Sequence, residues 1–299
     1  MALTINTNMS SLIVQSNLNK ATNSLNNAIE RMTTGYKINH AGDNAAGYSI
    51  ARNWETQLGS LDVAADNAAT GADMLTTLED TYALVSSHLQ RVRDLTEQAA
   101  NGTYGSASLQ AIQSEITARL EEVDRIAANC EFNGLKMMDP EATGGIKKDI
   151  SLQVGLYSGA DSQIVLKKEL FEASDINTLF GAGKTGDTAK ADAIAEIAEK
   201  CANRNADTPG KDMLDQIDAV INTISGRVTT LGAAQNRIES AVESISVQSE
   251  NITSSLSTLR DADVAEESSK FIQAQILQQA SATLLATANQ TPSIALNLL

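Results

Sequence analysis

The sequence predicts a mainly α protein. We expect a long antiparallel helical bundle built from both chain halves, a small β-hairpin insert, and N- and C-terminal helices paired in a coiled coil. Two observations support this fold class. Apolar residues recur in alternating three- and four-residue steps in both halves, as in helices that pack along a seam. Aromatic residues make up only 3% of the chain, which suits long helices packed at close range.

The N-terminal segment is predicted to form the first helix, ending before Gly35. Its apolar residues follow heptad spacing at Leu18, Ala21, Leu25, Ala28 and Met32.

A second, much longer helix is predicted from about Asn44 to Gln98. One seam runs through Leu61, Ala65, Ala68, Ala72 and Leu75, and after a three-residue skip it continues in a shifted phase through Leu78, Tyr82, Val85, Leu89 and Val92. Asn101-Gly102 follows as a stop signal.

Ser106 or Ser108 is expected to cap the third helix. Its apolar residues are Leu109, Ile112, Ile116, Leu120, Val123 and Ile126. Asn133-Gly134 is expected to end it.

The segment that follows has a different pattern. Apolar residues alternate along ISLQVGLY (150–157), and SGAD separates this run from QIVL (163–166), which predicts a β-hairpin. The Ala-rich segment 184–205 then predicts one short helix. We expect this insert to be small and surface-like.

The clearest heptad stripe predicts one helix from Leu214 to Leu259. Its seam positions are Leu214, Ile217, Ile221, Ile224, Val228, Leu231, Gln235, Ile238, Val242, Ile245, Ser249, Ile252, Leu256 and Leu259. A rod of this length spans about 70 Å and needs partner helices to bury its apolar stripe.

The two chain ends share an unusual composition. Residues 1–19 and 271–299 contain no Asp, Glu, Lys or Arg, although the formal net charge is -15. An apolar face of the C-terminal segment carries Phe271, Leu277, Leu284 and Ala288. A helix pair buries only one side of each helix, so we expect the ends to contact other copies of the chain.

Several function classes are not expected. The acidic balance would repel phosphate backbones, so nucleic acid is an unexpected partner, and no apolar run is long enough for membrane insertion. The two histidines and two cysteines form no metal-binding or catalytic signature, and GAGKTG (181–186) has Thr178 where a phosphate-binding loop needs glycine. The chain is therefore not predicted to be an enzyme or to hold a metal or cofactor.

Many blocks of the sequence resemble bacterial flagellin. They are MALTINTNMSSL, ERMTTGYKINHAGDNAAGYSIA, LQRVRDLTEQAANGT, IQSEITARLEEVDRIAANCEFNG, LGAAQNRIESAV, LRDADVAEESSKFIQAQILQQA and ANQTPSIALNLL. They span residues 1–138 and 213–299 in order and without large gaps, so the resemblance is specific.

The resemblance implies a subunit that polymerises into the bacterial flagellar filament for motility, outside the cell. It implies export in an unfolded state by the flagellar type III apparatus, with an export chaperone and a filament cap as partners. The implied domains are residues 1–43 with 256–299 in the filament core, 44–138 with 210–255 as the bundle, and 139–209 as a short variable insert. Polymerisation is assigned to Leu3, Ile5, Leu12, Ile13, Phe271, Leu277, Leu284 and Leu285.

The resemblance also implies a receptor surface. Arg91, Leu95 and Glu115 match the positions through which flagellins contact Toll-like receptor 5. Arg91 and Leu95 are four residues apart on one predicted helix, which places them on one face.

Two other functions stay open at this point. A hook–filament junction protein shares terminal helices with flagellin. A membrane-active translocator also uses helical hairpins, but it needs a long apolar hairpin that this sequence lacks.

Overall fold

The computed structural model describes residues 8–181, 187–202 and 211–297. Within these ranges long helices dominate and two small β-hairpins are present, which confirms the predicted fold class. The helices are α1 (Met9–Thr34), α2 (Ala45–Ala100), α3 (Ser106–Asn129), α4 (Ile176–Leu179), α5 (Asp187–Ala202), α6 (Lys211–Arg260) and α7 (Val264–Asn297). The strands are β1 (Glu131–Phe132), β2 (Leu135–Lys136), β3 (Ile150–Gln153) and β4 (Gln163–Leu166), and short 3₁₀ helices cover Ala160–Ser162 and Lys168–Phe171.

Local signals set both ends of α1. The Asn8 side chain accepts a hydrogen bond from the Ser11 N–H at 3.2 Å, as an N-cap residue does. Gly35 has a φ of +74° and donates its N–H to the Arg31 carbonyl at 2.9 Å. Because this left-handed conformation is unstrained only for glycine, α1 ends at the expected residue.

The buried seam of α2 differs from the expected one. It keeps strict three- and four-residue steps without a phase shift, at Leu61, Ala64, Ala68, Gly71, Leu75, Leu78, Tyr82, Val85, Leu89, Val92, Thr96 and Ala99. Ala65 and Ala72 are only half-buried, so the expected skip is wrong. The reason is tertiary: a Cβ added at Gly71 would lie 2.4 Å from Leu152 Cδ1 of β3, so the hairpin fills the space that a side chain would occupy.

The start and end of α3 also correct the prediction. Gly105 is the N-cap residue and makes no side-chain cap hydrogen bond, so neither Ser106 nor Ser108 caps the helix. The helix ends at Asn129, before Asn133-Gly134. Asn133 (φ +49°) and Gly134 (φ +81°) instead form the turn that joins β1 to β2, and positive φ at both central residues is what a type I′ hairpin turn requires.

The predicted insert hairpin is confirmed, with β3 and β4 antiparallel and Ile150 opposite Leu166. The insert is not surface-like, however. Many of its residues belong to the same hydrophobic core as the long helices, among them Ile164, Leu166, Leu170, Phe171, Ile176, Ile194, Ile197, Ala198 and Cys201. The long helices contain few aromatic side chains, and residues of the insert complete the hydrophobic core between them.

Side-chain contacts show that α2 and α6 are antiparallel. Arg93 of α2 pairs with Asp218 at the start of α6, at 2.6 Å, and Glu79 accepts a hydrogen bond from Gln235 at 2.8 Å. Gln235, a polar position in the predicted apolar seam of α6, thus has a polar partner in α2, Glu79. The apolar seam positions Ile217, Ile224, Leu231, Ile238 and Ile245 are buried, whereas Val242 is 39% exposed.

The chain divides into two compact units. One contains residues 1–59 and 248–299, and the other contains residues 60–247. These limits fall within α2 and α6, whereas the predicted domain limits fall at 43/44, 138/139, 209/210 and 255/256. The predicted domains therefore stay a prediction.

Candidate assembly and receptor surfaces

The terminal helices α1 and α7 pack against each other as an antiparallel pair. The residues buried between them are mostly small: Ala21, Ala28, Ala274 and Ser281. Small side chains let the two backbones approach closely, but they bury little apolar area. The pair therefore has a thin apolar interior.

Polar contacts fix the register of this pair along its length. They join Asn8 Nδ2 to the Ala288 carbonyl (2.7 Å), Ser11 Oγ to Asn289 Oδ1 (2.8 Å), Gln278 Nε2 to Thr22 Oγ1 (3.2 Å) and Arg31 Nη1 to Glu267 Oε1 (3.4 Å). Glu267 is 4% exposed, and Lys270 is its second partner at 2.9 Å. Polar residues in a helix seam specify one register, because any slip would leave them unpaired.

Apolar side chains remain exposed on the outer faces of the pair. Among the residues assigned to polymerisation, Leu12 (60%), Ile13 (56%), Leu277 (51%) and Leu284 (57%) are exposed. Phe271 and Leu285 are half-buried. Leu3 and Ile5 lie outside the described residues. Met9, Ile272 and Ile276, which the sequence analysis did not single out, are also more than half exposed.

A groove of about 760 Å³ follows the contact between α1 and α7. Its apolar lining includes Ala21, Ala28, Ala274, Leu277 and Leu284. Charged residues line it too: Lys20, Arg31, Glu267 and Lys270. The groove is thus mixed in character, and the exposed leucines and isoleucines beside it provide apolar surface of the kind that marks an interaction site.

Two interhelical segments are joined beside the α1/α7 pair. The chain between α1 and α2 and the chain between α6 and α7 form a short antiparallel bridge at Tyr36 and Asp261. Two backbone hydrogen bonds reinforce it, from Lys37 N–H to the Arg260 carbonyl (2.7 Å) and from Ala262 N–H to the Gly35 carbonyl (2.8 Å).

Arg260 joins the side chains at this bridge. Its guanidinium lies 4.2 Å from the centroid of the Tyr36 ring and forms an ion pair with Glu55. It also donates to the Ile38 carbonyl at 3.4 Å. Sequence reasoning missed this cluster, because Arg260 is more than 200 positions from its other members and no periodic pattern connects them.

The structure brings together two of the three predicted receptor residues. Arg91 Nε donates to Glu115 Oε1 at 3.0 Å, across from α2 to α3, and both side chains are exposed. Arg119 Nη2 lies 3.9 Å from the same carboxylate oxygen. These three residues form a charged surface patch.

Leu95 does not share that surface. It is 1% exposed and belongs to the hydrophobic core, so the expectation that it lies with Arg91 on one accessible face is corrected. A sequence signal existed for this: Leu95 lies between the seam residues Val92 and Ala99, at three- and four-residue steps.

Three further ionisable groups have pKa values that are shifted by contacts within the fold. A hydrogen bond from Arg93 holds the pKa of Asp218 below its usual value, and burial raises the pKa of the Cys130 and Cys201 thiols. Both cysteines are buried and free, and a buried thiol of raised pKa is a poor nucleophile.

The parts of the chain that the structure describes contain neither a candidate metal site nor a candidate membrane span. There, no group of three or more His, Cys, Asp or Glu side chains is arranged to hold a metal ion. Likewise, none of the helices over these ranges is apolar enough over a sufficient length to cross a bilayer.

Comparisons with known proteins agree with this architecture. Residues 5–143 match the bacterial flagellin N-terminal helical region, and residues 214–299 match the bacterial flagellin C-terminal helical region. A flagellin of Xenorhabdus nematophila is 35% identical over the full length of both chains, and a flagellin of Bacillus subtilis (strain 168) is 33% identical over 99% of each. A solved structure described as a flagellar hook-associated protein of Vibrio parahaemolyticus shares the fold at 13% identity, with a TM-score of 0.57 over 73% of this chain and 100% of that one. With its terminal helices paired and both terminal regions matched, the chain belongs to the bacterial flagellin family.

Proposed function

We propose that this chain is a structural subunit that polymerises into the bacterial flagellar filament and works outside the cell. The observation that carries the proposal is the outer surface of the α1/α7 pair, where Leu12, Ile13, Leu277 and Leu284 are exposed. Leaving this apolar area in water is unfavourable, and packing against further copies would remove it. The small apolar area buried between α1 and α7 also supports the proposal, since contacts with neighbouring copies would bury further apolar side chains of the pair.

Export in an unfolded state by the flagellar type III apparatus is part of the proposal. The α1/α7 pair supports it, because a pair with small buried residues contributes little stability of its own and unfolds at low cost. An export chaperone and a filament cap are the partners that this route requires.

Seeded polymerisation tests the proposed function. Purified monomer is mixed with sheared filament seeds, and elongation is followed by electron microscopy and sedimentation. The parent is expected to elongate the seeds. Leu284→Asp is expected to prevent elongation, because a carboxylate buried at every contact costs several kcal/mol by rough estimate.

Val247→Asp is the matched control. Val247 is 53% exposed, close to the 57% of Leu284, and lies on α6 outside the terminal pair. It is expected to elongate like the parent. Equal elongation by all three proteins would contradict the assignment of the α1/α7 surface to assembly, and failure of the parent would contradict the filament function itself.

A hook–filament junction protein is the second candidate, and the shared fold of the hook-associated protein favours it. The two functions differ in copy number, because a filament subunit adds to itself without limit. Long filaments grown from pure protein would support the filament subunit, and growth that stops after a short collar would support the junction protein.

We also propose that the patch of Arg91, Glu115 and Arg119 is a contact surface for Toll-like receptor 5 of a host. The support is its exposure and its arginine content, since arginine is enriched among residues that dominate binding energy at interfaces. Leu95 is buried in the hydrophobic core and is therefore not part of the proposed contact surface.

A further inference from the structure

Four lysines surround the open end of the β3–β4 hairpin, beyond the last strand pair of Ile150 and Leu166. Lys147 and Lys148 precede β3, and Lys167 and Lys168 follow β4; we call these four residues the lysine cluster. All four are exposed, and none has an ion-pair partner in the ranges that the structure describes. Of the two neighbouring acids, Asp149 already accepts the Lys168 backbone N–H at 2.9 Å, and Glu169 leaves the cluster net positive.

The outer face of α2 has the opposite charge. Asp62, Asp66, Asp73 and Asp80 are spaced by four, seven and seven residues, so they lie along one face of the helix. We call these four residues the acidic ridge, and it extends for about 27 Å. All four are exposed and without an ion-pair partner within the described ranges, and no Lys or Arg occurs between Asn53 and Gln90.

The hairpin and the acidic ridge lie on different sides of α2. The hairpin packs at Asn67, whose side-chain amide donates to the Gln153 carbonyl at 3.1 Å, and at Gly71, which faces Leu152. Each residue turns an α-helix by about 100°, so Asp73 lies about 200° around the axis from Gly71. The hairpin that carries the lysine cluster therefore packs on a different side of α2 from the acidic ridge.

We propose that the lysine cluster of one copy docks on the acidic ridge of a second copy in the filament. The proposal rests on the proposed function, because it requires copies of the chain to assemble. Two features commit it to a second copy: the surfaces are complementary in charge, and neither has an ion-pair partner among the described residues of its own molecule. A contact between two different surfaces is heterologous, and such a contact builds an open filament when the rotation between successive copies does not close a ring.

The charge of the whole chain gives this contact a second consequence. Copies with a formal net charge of -15 repel each other in most orientations. A local attraction between lysines and aspartates then favours one orientation of approach, which is how charge complementarity acts at interfaces. The contact would thus set the orientation in which a subunit adds.

Charge reversal in the full-length chain tests the proposal. Lys167→Glu with Lys168→Glu is expected to raise the critical concentration for elongation of parent seeds by about tenfold, because each contact loses attractive pairs and gains repulsive ones. Far-ultraviolet circular dichroism and the melting temperature should stay those of the parent, since both side chains are exposed.

The matched control is Lys200→Glu with Arg237→Glu. It changes the net charge equally at two exposed basic positions outside the cluster. The control is expected to elongate within about twofold of the parent. If the two double variants are impaired equally, net charge alone explains the effect and the docking proposal is overturned, while the filament function stands.

A charge swap completes the test. Asp73→Lys with Asp80→Lys alone is expected to impair elongation, and adding it to Lys167→Glu with Lys168→Glu in one chain is expected to restore self-assembly. Restoration supports the pairing. Impairment by each pair without restoration in the combined variant overturns it, and a parent that does not elongate removes both this proposal and the proposed function.

Discussion

At the scale of single residues, exposed ion pairs and buried apolar side chains have different roles. Arg91 and Glu115 form an ion pair whose side chains are 48% and 37% exposed. Such pairs contribute little to stability, because water and salt screen them. Buried residues such as Leu95 and Ile238, both 1% exposed, contribute far more. Substitutions at the two kinds of position should therefore separate recognition from folding.

The first prediction concerns the proposed receptor patch. Arg91→Ala should weaken binding of the monomer to the Toll-like receptor 5 ectodomain by more than about 1 kcal/mol, because it removes an exposed arginine from the patch. Binding is measured by surface plasmon resonance, and circular dichroism checks that the fold is unchanged.

Arg237→Ala is the control for this prediction, since Arg237 is an exposed arginine on α6. It should bind as the parent does. Leu95→Ala is not diagnostic, because emptying a core position destabilises the bundle by about 2–5 kcal/mol whatever the receptor does. Parent-like binding by Arg91→Ala would leave the patch as an ordinary charged surface.

The second prediction compares adjacent residues of α6. Ile238→Ala should lower the free energy of unfolding by about 2–5 kcal/mol, because it leaves a cavity in the seam, whereas Glu239→Ala at an exposed position should change it by less than about 0.5 kcal/mol. Urea denaturation measures both. Equal shifts would show that the register of the seam is wrong.

At the scale of secondary-structure elements, contacts with other segments determine which face of a helix is buried. The heptad seam of α2 is continuous only because Gly71 accommodates Leu152 of β3. The chain between α1 and α2 is held by a local contact instead, because the Asp43 carboxylate accepts the backbone N–H groups of Asn39 (3.1 Å) and His40 (3.0 Å).

The third prediction uses two glycines of the same helix. Gly59→Ala should stabilise the protein by about 0.5–1 kcal/mol, because alanine is the better helix former and nothing lies within 4 Å of the new Cβ. Gly71→Ala should lose that gain, since Leu152 must move. Thermal denaturation of both variants measures the difference, and equal stabilisation would mean that the hairpin does not press on α2.

The fourth prediction concerns pH and the segment between α1 and α2. The hydrogen bond from the His40 N–H, helped by the Asn39 N–H and by Arg31, holds the pKa of Asp43 below its usual value, although partial burial opposes the shift. A lowered carboxyl pKa gives stability that is present above the unfolded pKa, near 3.9, and is lost as the pH falls through the folded pKa.

The Asn39 and His40 amide NMR signals should therefore show a joint shift with a midpoint below about pH 4, as the Asp43 carboxylate takes up its proton. In Asp43→Asn, which has no carboxylate to titrate, that joint shift should be absent. A joint shift in Asp43→Asn, or a midpoint above 4 in the parent, would contradict the assignment of Asp43.

At the scale of the whole molecule, the core and the proposed assembly surface belong to different parts of the chain. The large hydrophobic core lies within residues 60–247, whereas the α1/α7 pair has a thin interior and exposed apolar faces. The core can therefore be stable without the terminal residues that are proposed to drive polymerisation.

The fifth prediction follows from this separation. Removal of residues 271–299 should leave a soluble, largely helical protein whose main melting transition is nearly unchanged, because residues 60–247 keep their core. It should not elongate filament seeds. Circular dichroism and seeded polymerisation measure the two properties, and filaments made of the truncated protein would contradict the role proposed for the C-terminal helix.

The sequence by itself determined which segments form the long helices, where α1 ends, and that Ile217, Ile224, Leu231, Ile238 and Ile245 of α6 are buried, because heptad spacing and a glycine at a helix end act over a few residues. It also determined the uncharged chain ends on which the assembly proposal depends. Only the tertiary structure decided that Gly71 and not Ala72 belongs to the seam, that Leu95 is covered, and that Arg260 joins Tyr36 to Glu55. The physical reason is that burial depends on what packs against a helix face. Leu152 lies 81 positions from Gly71 along the chain, and no periodicity in either segment specifies their contact.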